Sequence, residues 1–146
     1  MNNEELERLG QADIKISGFQ LWIHGRQFPD LKDSYDDGDW LNIAVHCCQD
    51  GASVFMSGSF LRLSELKRWY IKLKAMHKTL SGEANLECIE PELAVAMKAG
   101  SLGHITMEVD ITPDNLTQKH WFQFNIDQSY LAELISQCET IFSIYA

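Results

Sequence analysis

Five aspartates lie within ten residues, directly before an apolar stretch: Asp30, Asp33, Asp36, Asp37 and Asp39. Grouped carboxylates can hold a metal ion or attract a cationic partner. A calcium loop starting at Asp33 places Gly38 correctly at position six. It places Tyr35 third and Ala44 twelfth, however, so the EF-hand template fails. A looser cation site stays open beside the simpler interpretation, a solvated turn, and no metal ligand is assigned.

Histidine and cysteine side chains form a second set with reactive chemistry. His46 and Cys48 share one face of a predicted strand, and His24 can lie on the same face. A zinc site there would need a fourth ligand within tetrahedral reach. The motifs G-x-S-x-G, Walker A, H-E-x-x-H and C-x-x-C are absent from the sequence. We therefore predict no catalytic residue and no cofactor, and keep an enzymatic or small-molecule-binding domain on this face as an alternative.

Strands are predicted wherever apolar and polar residues alternate with a period of two. In residues 40–48 one side carries Leu41, Ile43, Val45 and Cys47. A turn signal at residues 49–51 then joins this strand to the next as a hairpin. The same alternation occurs in residues 14–28, 53–60, 85–89, 93–97, 105–111 and 121–126.

Two amphipathic helices are predicted from apolar residues that recur at steps of three and four. The first begins at Ser64 as its N-cap and stops at Gly82, and the second begins near residues 127–129. Strands with one apolar side need a cover, which these helices can provide. The predicted fold is a two-layer α+β domain with a mostly antiparallel sheet of about six to seven strands and both helices packed on one face.

The uncovered face of the sheet is predicted to carry aromatic residues among short polar groups. Its tryptophans are Trp22, Trp40 and Trp121. Aromatic side chains on a solvated face are typical of interaction sites. Cross-strand pairing that stabilises the sheet is the alternative explanation for each of them.

Length and charge narrow the classes of function. A chain of 146 residues predicts one domain over 1–146, with residues 1–13 as a loosely ordered lead-in. The formal net charge of −9 argues against direct nucleic-acid binding, although residues 62–78 hold six basic residues against one acid. No signal peptide and no membrane-spanning run is recognised, so we expect a cytoplasmic location with reduced cysteines.

Several short motifs resemble the WapI-type immunity proteins of bacterial polymorphic toxin systems. They are Gly25-Arg26-Gln27-Phe28-Pro29-Asp30, Asp39-Trp40-Leu41-Asn42-Ile43, Gly103-His104-Ile105 and Gln128-Ser129-Tyr130-Leu131. The resemblance implies a small bacterial protein that binds and blocks a cognate toxin domain, often a nuclease. It implies no catalytic residue.

The leading hypothesis is therefore a non-catalytic inhibitor of a basic toxin. The five aspartates would steer the partner, and Trp22, Trp40 and Trp121 would anchor it. A homo-oligomeric module that buries the aromatic face against a second copy is a further alternative.

Overall fold

The computed structural model describes residues 2–31 and 37–145 of the chain. This part holds three α-helices and eight β-strands, besides two short 3₁₀ turns. In chain order the elements are α1 (Asn3–Arg8), β1 (Ile14–Ile16), β2 (Phe19–Arg26), β3 (Trp40–Gln49), β4 (Ala52–Arg62), α2 (Leu63–Thr79), β5 (Glu83–Glu87), β6 (Leu93–Ala99), β7 (His104–Ile111), β8 (Trp121–Asp127) and α3 (Ser129–Tyr145).

The strands form two antiparallel sheets, each with its strands in chain order. The first sheet is β1-β2-β3-β4 and the second is β5-β6-β7-β8. The α+β class and the antiparallel pairing are confirmed. The number of strands and their grouping differ from the prediction, with eight strands in two sheets instead of six to seven in one. Alternation reveals that a strand has one covered side, but it carries no information about which strands share a sheet.

Both sheets bury one face in a common core. The apolar side predicted for residues 40–48 is confirmed, since Leu41, Ile43, Val45 and Cys47 are all buried. On the other side Ala44 and His46 are buried as well, which the alternation did not predict. The second sheet contributes Val95, Met107 and Phe124, among others, to the same cluster. Apolar residues of α2 and α3 complete it. Among the described residues, no helix combines the length and apolarity needed to cross a membrane.

Helix α2 begins two residues earlier than predicted and is capped by a residue distant in the sequence. Its first residue is Leu63 and its N-cap position is Arg62, so Ser64 lies in the first turn. The cap is the Asp39 carboxylate, whose oxygens accept from the Ser64 backbone N at 3.2 Å. At the other end the helix stops at Leu80, which adopts the left-handed conformation two residues before Gly82.

Gly18 lies between β1 and β2, next to Cys48 of β3 and Phe124 of the second sheet. The backbone N of Cys48 donates to the Gly18 carbonyl at 3.0 Å. A Cβ atom on Gly18 would lie 2.0 Å from the Cys48 carbonyl oxygen and 3.0 Å from the ring of Phe124 in the second sheet. Only a residue without a side chain fits this contact.

The variant Gly18→Ala should lower the free energy of unfolding by about 3 kcal/mol, because its methyl group meets backbone and an aromatic ring that cannot both move aside. Urea denaturation measures the change. Gly100→Ala is the matched control, since a Cβ there meets its nearest atom at 3.6 Å. Equal stability of the two variants would contradict the close contact.

Candidate partner-binding surface

The structure distributes the predicted site residues over three separate places. Trp22 lies in the first sheet, Asp30, Asp37, Asp39 and Trp40 lie at or near the loop between β2 and β3, and Trp121 lies in the second sheet. Asp33 and Asp36 fall outside the described residues. The described members of the set thus belong to different elements of the fold.

Trp22 is buried, with 4% of its surface exposed. Its indole N donates to the Gly10 carbonyl at 3.1 Å, and the neighbouring Ile23 backbone N donates to the Asp13 carboxylate at 2.6 Å. The N-terminal segment thus folds over this face. The placement corrects the expectation of an uncovered face at Trp22, and small Ala44 directly opposite it leaves room for the indole ring.

The aspartates near the β2–β3 loop have different environments. Asp30 and Asp37 are exposed, whereas Asp39 is half-buried. Asp39 accepts from both the backbone N and the hydroxyl of Ser64, as a helix cap does. Asp30 and Asp37 therefore keep carboxylates in solvent that can attract a cationic partner, while Asp39 has a structural role.

Arg26 fixes the end of this loop. One guanidinium nitrogen donates to the Gly38 carbonyl at 2.7 Å and another donates to the Tyr145 carbonyl at the end of α3. A cation at a helix C-terminus also complements the helix dipole. Nearby, the guanidinium carbon of Arg62 lies 5.7 Å from the ring centroid of Trp40. Trp40 is half-buried beneath this cation and offers only part of its ring to a partner.

Trp121 is 51% exposed and lies on the outer face of the second sheet. We define this outer face by three cross-strand rows, whose register places Trp121 directly opposite Asp110. The rows are Glu83-Lys98-Thr106-Asn125, Asn85-Ala96-Glu108-Gln123 and Glu87-Ala94-Asp110-Trp121. None of these side chains is buried.

The outer face of the second sheet combines negative charge with a shallow depression. It carries four acids and one base, Lys98. Small Ala96 leaves an open pocket of about 230 Å³ between longer neighbours, including Glu83 and Glu108. Sequence reasoning missed these acids as candidates. The sequence pattern that could have identified them is the alternation in residues 105–111, whose polar side places Glu108 and Asp110 away from the core.

The histidine and cysteine face of the first sheet is occupied by internal hydrogen bonds. The Nε2 atom of His46 lies 2.7 Å from the Ser53 hydroxyl, and its Nδ1 atom lies 3.4 Å from the Gln20 side-chain oxygen. Burial lowers the pKa of His46 below its ordinary value of 6.5. Within residues 2–31 and 37–145, no group of three or more His, Cys, Asp or Glu side chains could hold a metal ion.

The cysteines differ sharply in accessibility. Burial raises the pKa of the Cys47, Cys88 and Cys138 thiols to about 12, with smaller contributions from neighbouring charged groups. Cys48 is exposed, and all four cysteines are free thiols. The buried thiols therefore act as small apolar core groups and not as nucleophiles.

Comparison with known proteins identifies the family. The family described as the WapI-like immunity protein family matches residues 9–146, which is nearly the whole chain. The chain belongs to this family. No curated protein and no solved structure matches the chain. Family membership confirms the resemblance inferred from the short motifs, and it supports an immunity role without assigning a binding surface.

Replacing the remote cap should weaken the start of α2. We expect Asp39→Ala to reduce the free energy of unfolding by about 1 kcal/mol, since the Ser64 backbone N loses its acceptor. Asp37→Ala removes an equal charge from an exposed position and should change stability by less than about 0.5 kcal/mol. If thermal and urea unfolding give equal values for the two variants, Asp39 is not the cap.

Stability should fall in mild acid because of His46. Its folded pKa is lowered, so the unfolded chain takes up the proton first as pH falls through about 6.5. The free energy of unfolding therefore decreases below this pH, and it stops decreasing once His46 is protonated in the folded state as well. His46→Gln should flatten the stability profile between about pH 7 and pH 5. A profile unchanged by His46→Gln would contradict this assignment.

Proposed function

We propose that this chain is a non-catalytic immunity protein that binds a cognate toxin domain and blocks its active surface. The observation that carries the proposal is the match to the WapI-like immunity protein family over residues 9–146. An immunity protein acts by forming a complex, so the relevant feature of this chain is its surface and not a catalytic centre.

The charge of the chain supports a basic partner. At a net charge of −9, the chain attracts a cationic domain over a distance and speeds its encounter with that domain. A nuclease toxin, which must bind a polyanion, fits this description. Asp30 and Asp37 are exposed and available for such steering. Asp33 and Asp36 stay part of the proposal as neighbours of these residues in the sequence.

The outer face of the second sheet is the best candidate for the toxin contact. Trp121 supplies a large aromatic ring that is half accessible, which is the type of residue that dominates binding energy in interfaces. Asp110 lies beside it, and Glu108 occupies the next row. Trp40 offers a smaller contact near the aspartate loop, whereas Trp22 is buried and does not contribute directly.

The first experiment is co-expression with the toxin-like chain encoded beside this protein. We expect the wild-type chain to restore growth and to form a complex with the purified toxin domain that weakens as salt rises. Failure to restore growth or to form a complex would contradict the immunity role itself, whichever surface is involved.

Matched variants then test the surface. Trp121→Ala should raise the dissociation constant by about tenfold or more. Ile71 is 65% exposed on α2, and Ile71→Ala should leave the dissociation constant unchanged. Glu108→Lys and Glu133→Lys change the net charge equally, so a larger loss with Glu108→Lys reports a local contact. If the wild-type chain restores growth but the two variants of each pair change the dissociation constant equally, the immunity role is supported and this face is not the toxin contact.

A further inference from the structure

In the described part of the chain, three of the four edge strands form a hydrogen bond with a side chain of another element. Gln137 of α3 accepts from the Lys15 backbone N at 3.1 Å on β1. The Trp69 indole of α2 donates to the Ala84 carbonyl at 3.2 Å on β5, and Gln49 donates to the Gln123 carbonyl at 2.7 Å on β8. Each of these edge strands also contains a charged residue, which discourages pairing with another chain.

The fourth edge strand, β4, has neither a side-chain hydrogen bond to its outer main-chain groups nor a charged residue along most of its length. From Ala52 to Leu61 it contains no charged residue and no proline. In the part of the chain that the structure describes, no residue outside β3 hydrogen-bonds to the main chain of 52–61. The strand is interrupted only by a change of register near Gly58. Natural edge strands of this length are usually protected, so an open and neutral edge indicates a pairing site.

The hairpin determines which backbone groups of β4 face outward. A two-residue turn connects Gln49 to Ala52, and in such hairpins the closing pair exchanges both backbone hydrogen bonds. Because the two pair types alternate along an antiparallel ladder, Ser53, Phe55 and Ser57 direct their N–H and C=O groups away from β3. These three residues present a ladder centred on Phe55, before the irregularity at Gly58.

We infer that β4 pairs with β4 of a second copy of this chain, antiparallel and about a two-fold axis at Phe55. Ser53 of one copy then lies opposite Ser57 of the other, and the two sheets join into one of eight strands. Because both copies use the same edge about a two-fold axis, this pairing yields a dimer and not a fibre. The half-buried Phe55 ring gains a partner ring across the axis.

The charge pattern favours a second copy over a basic partner at this edge. Two chains that each carry −9 repel one another over most of their surface. Residues 52–61 bring no charge to the contact, and the two Asp50 side chains lie at opposite ends of the shared ladder. A cationic toxin would find no counter-charge on this strand. The inference therefore does not depend on the proposed immunity role and uses a different surface.

Sedimentation velocity of the purified chain alone tests the pairing. We expect a reversible monomer–dimer equilibrium with a dissociation constant of about 1–100 μM, because edge pairing buries less area than a standard interface. Ser57→Pro removes one outward N–H at an exposed edge position, which folded sheets tolerate, and should weaken the dimer at least tenfold. Ser57→Ala keeps that N–H and should dimerise like the wild type.

A second variant and a second readout make the result decisive. Phe55→Lys places two like charges across the axis and should also give a monomer, with helix and strand content unchanged by circular dichroism. Amide hydrogen exchange at residues 53, 55 and 57 should slow as protein concentration rises. The inference is overturned if the wild type stays monomeric up to about 0.5 mM, or if a folded Ser57→Pro or Phe55→Lys dimerises as strongly as the wild type.

Discussion

Each antiparallel sheet of this protein has a single apolar face, and this constraint organises the molecule. Neither face can stay in water, so both turn towards the same core and meet the apolar sides of α2 and α3. No side chain fits at Gly18, where it would meet the Cys48 carbonyl of β3 and the Phe124 ring of the second sheet. Surfaces available for binding therefore lie outside this core.

One carboxylate that this packing buries, that of Glu65, receives a partner from a distant part of the chain. Glu65 is 1% exposed, and its carboxylate accepts from the backbone N atoms of Arg62 at 2.7 Å and Ile89 at 2.6 Å. The Arg62 guanidinium lies 3.3 Å from the same carboxylate. A buried carboxylate is stable only when it is satisfied in this way. The start of α2 is thereby tied to the segment that follows β5, and the two halves of the chain are held together.

The two outer faces have opposite characters. On the first sheet, the N-terminal segment covers Trp22, and the polar side chains of His46, Ser53 and Gln20 bond to one another. On the second sheet, Trp121 and Glu108 are exposed and Asp110 is half-buried, and none of the described helices packs over them. A member of an immunity protein family needs an accessible surface with a charge that suits its target. The second face is accessible and acidic, whereas part of the first face is covered by contacts within the chain.

Much of the local structure follows from the sequence alone. Period-two alternation placed Leu41, Ile43, Val45 and Cys47 in the core, and the start of α3 was expected at residues 127–129, where the helix begins at Ser129. The short motifs also pointed to the immunity family, since their residues are adjacent in sequence. These features depend on neighbours within a few positions, which is the range that periodicity and capping rules cover.

Only the tertiary structure decided the features that join distant residues. Eight strands divided into two sheets because pairing depends on long-range register, which alternation does not encode. Trp22 is buried by a segment twelve residues earlier, and Asp39 caps a helix that lies 25 residues further along the chain at Ser64. A side chain's type thus determined which bonds it can form, while the packing of separate segments determined which partner it received and whether it stayed exposed.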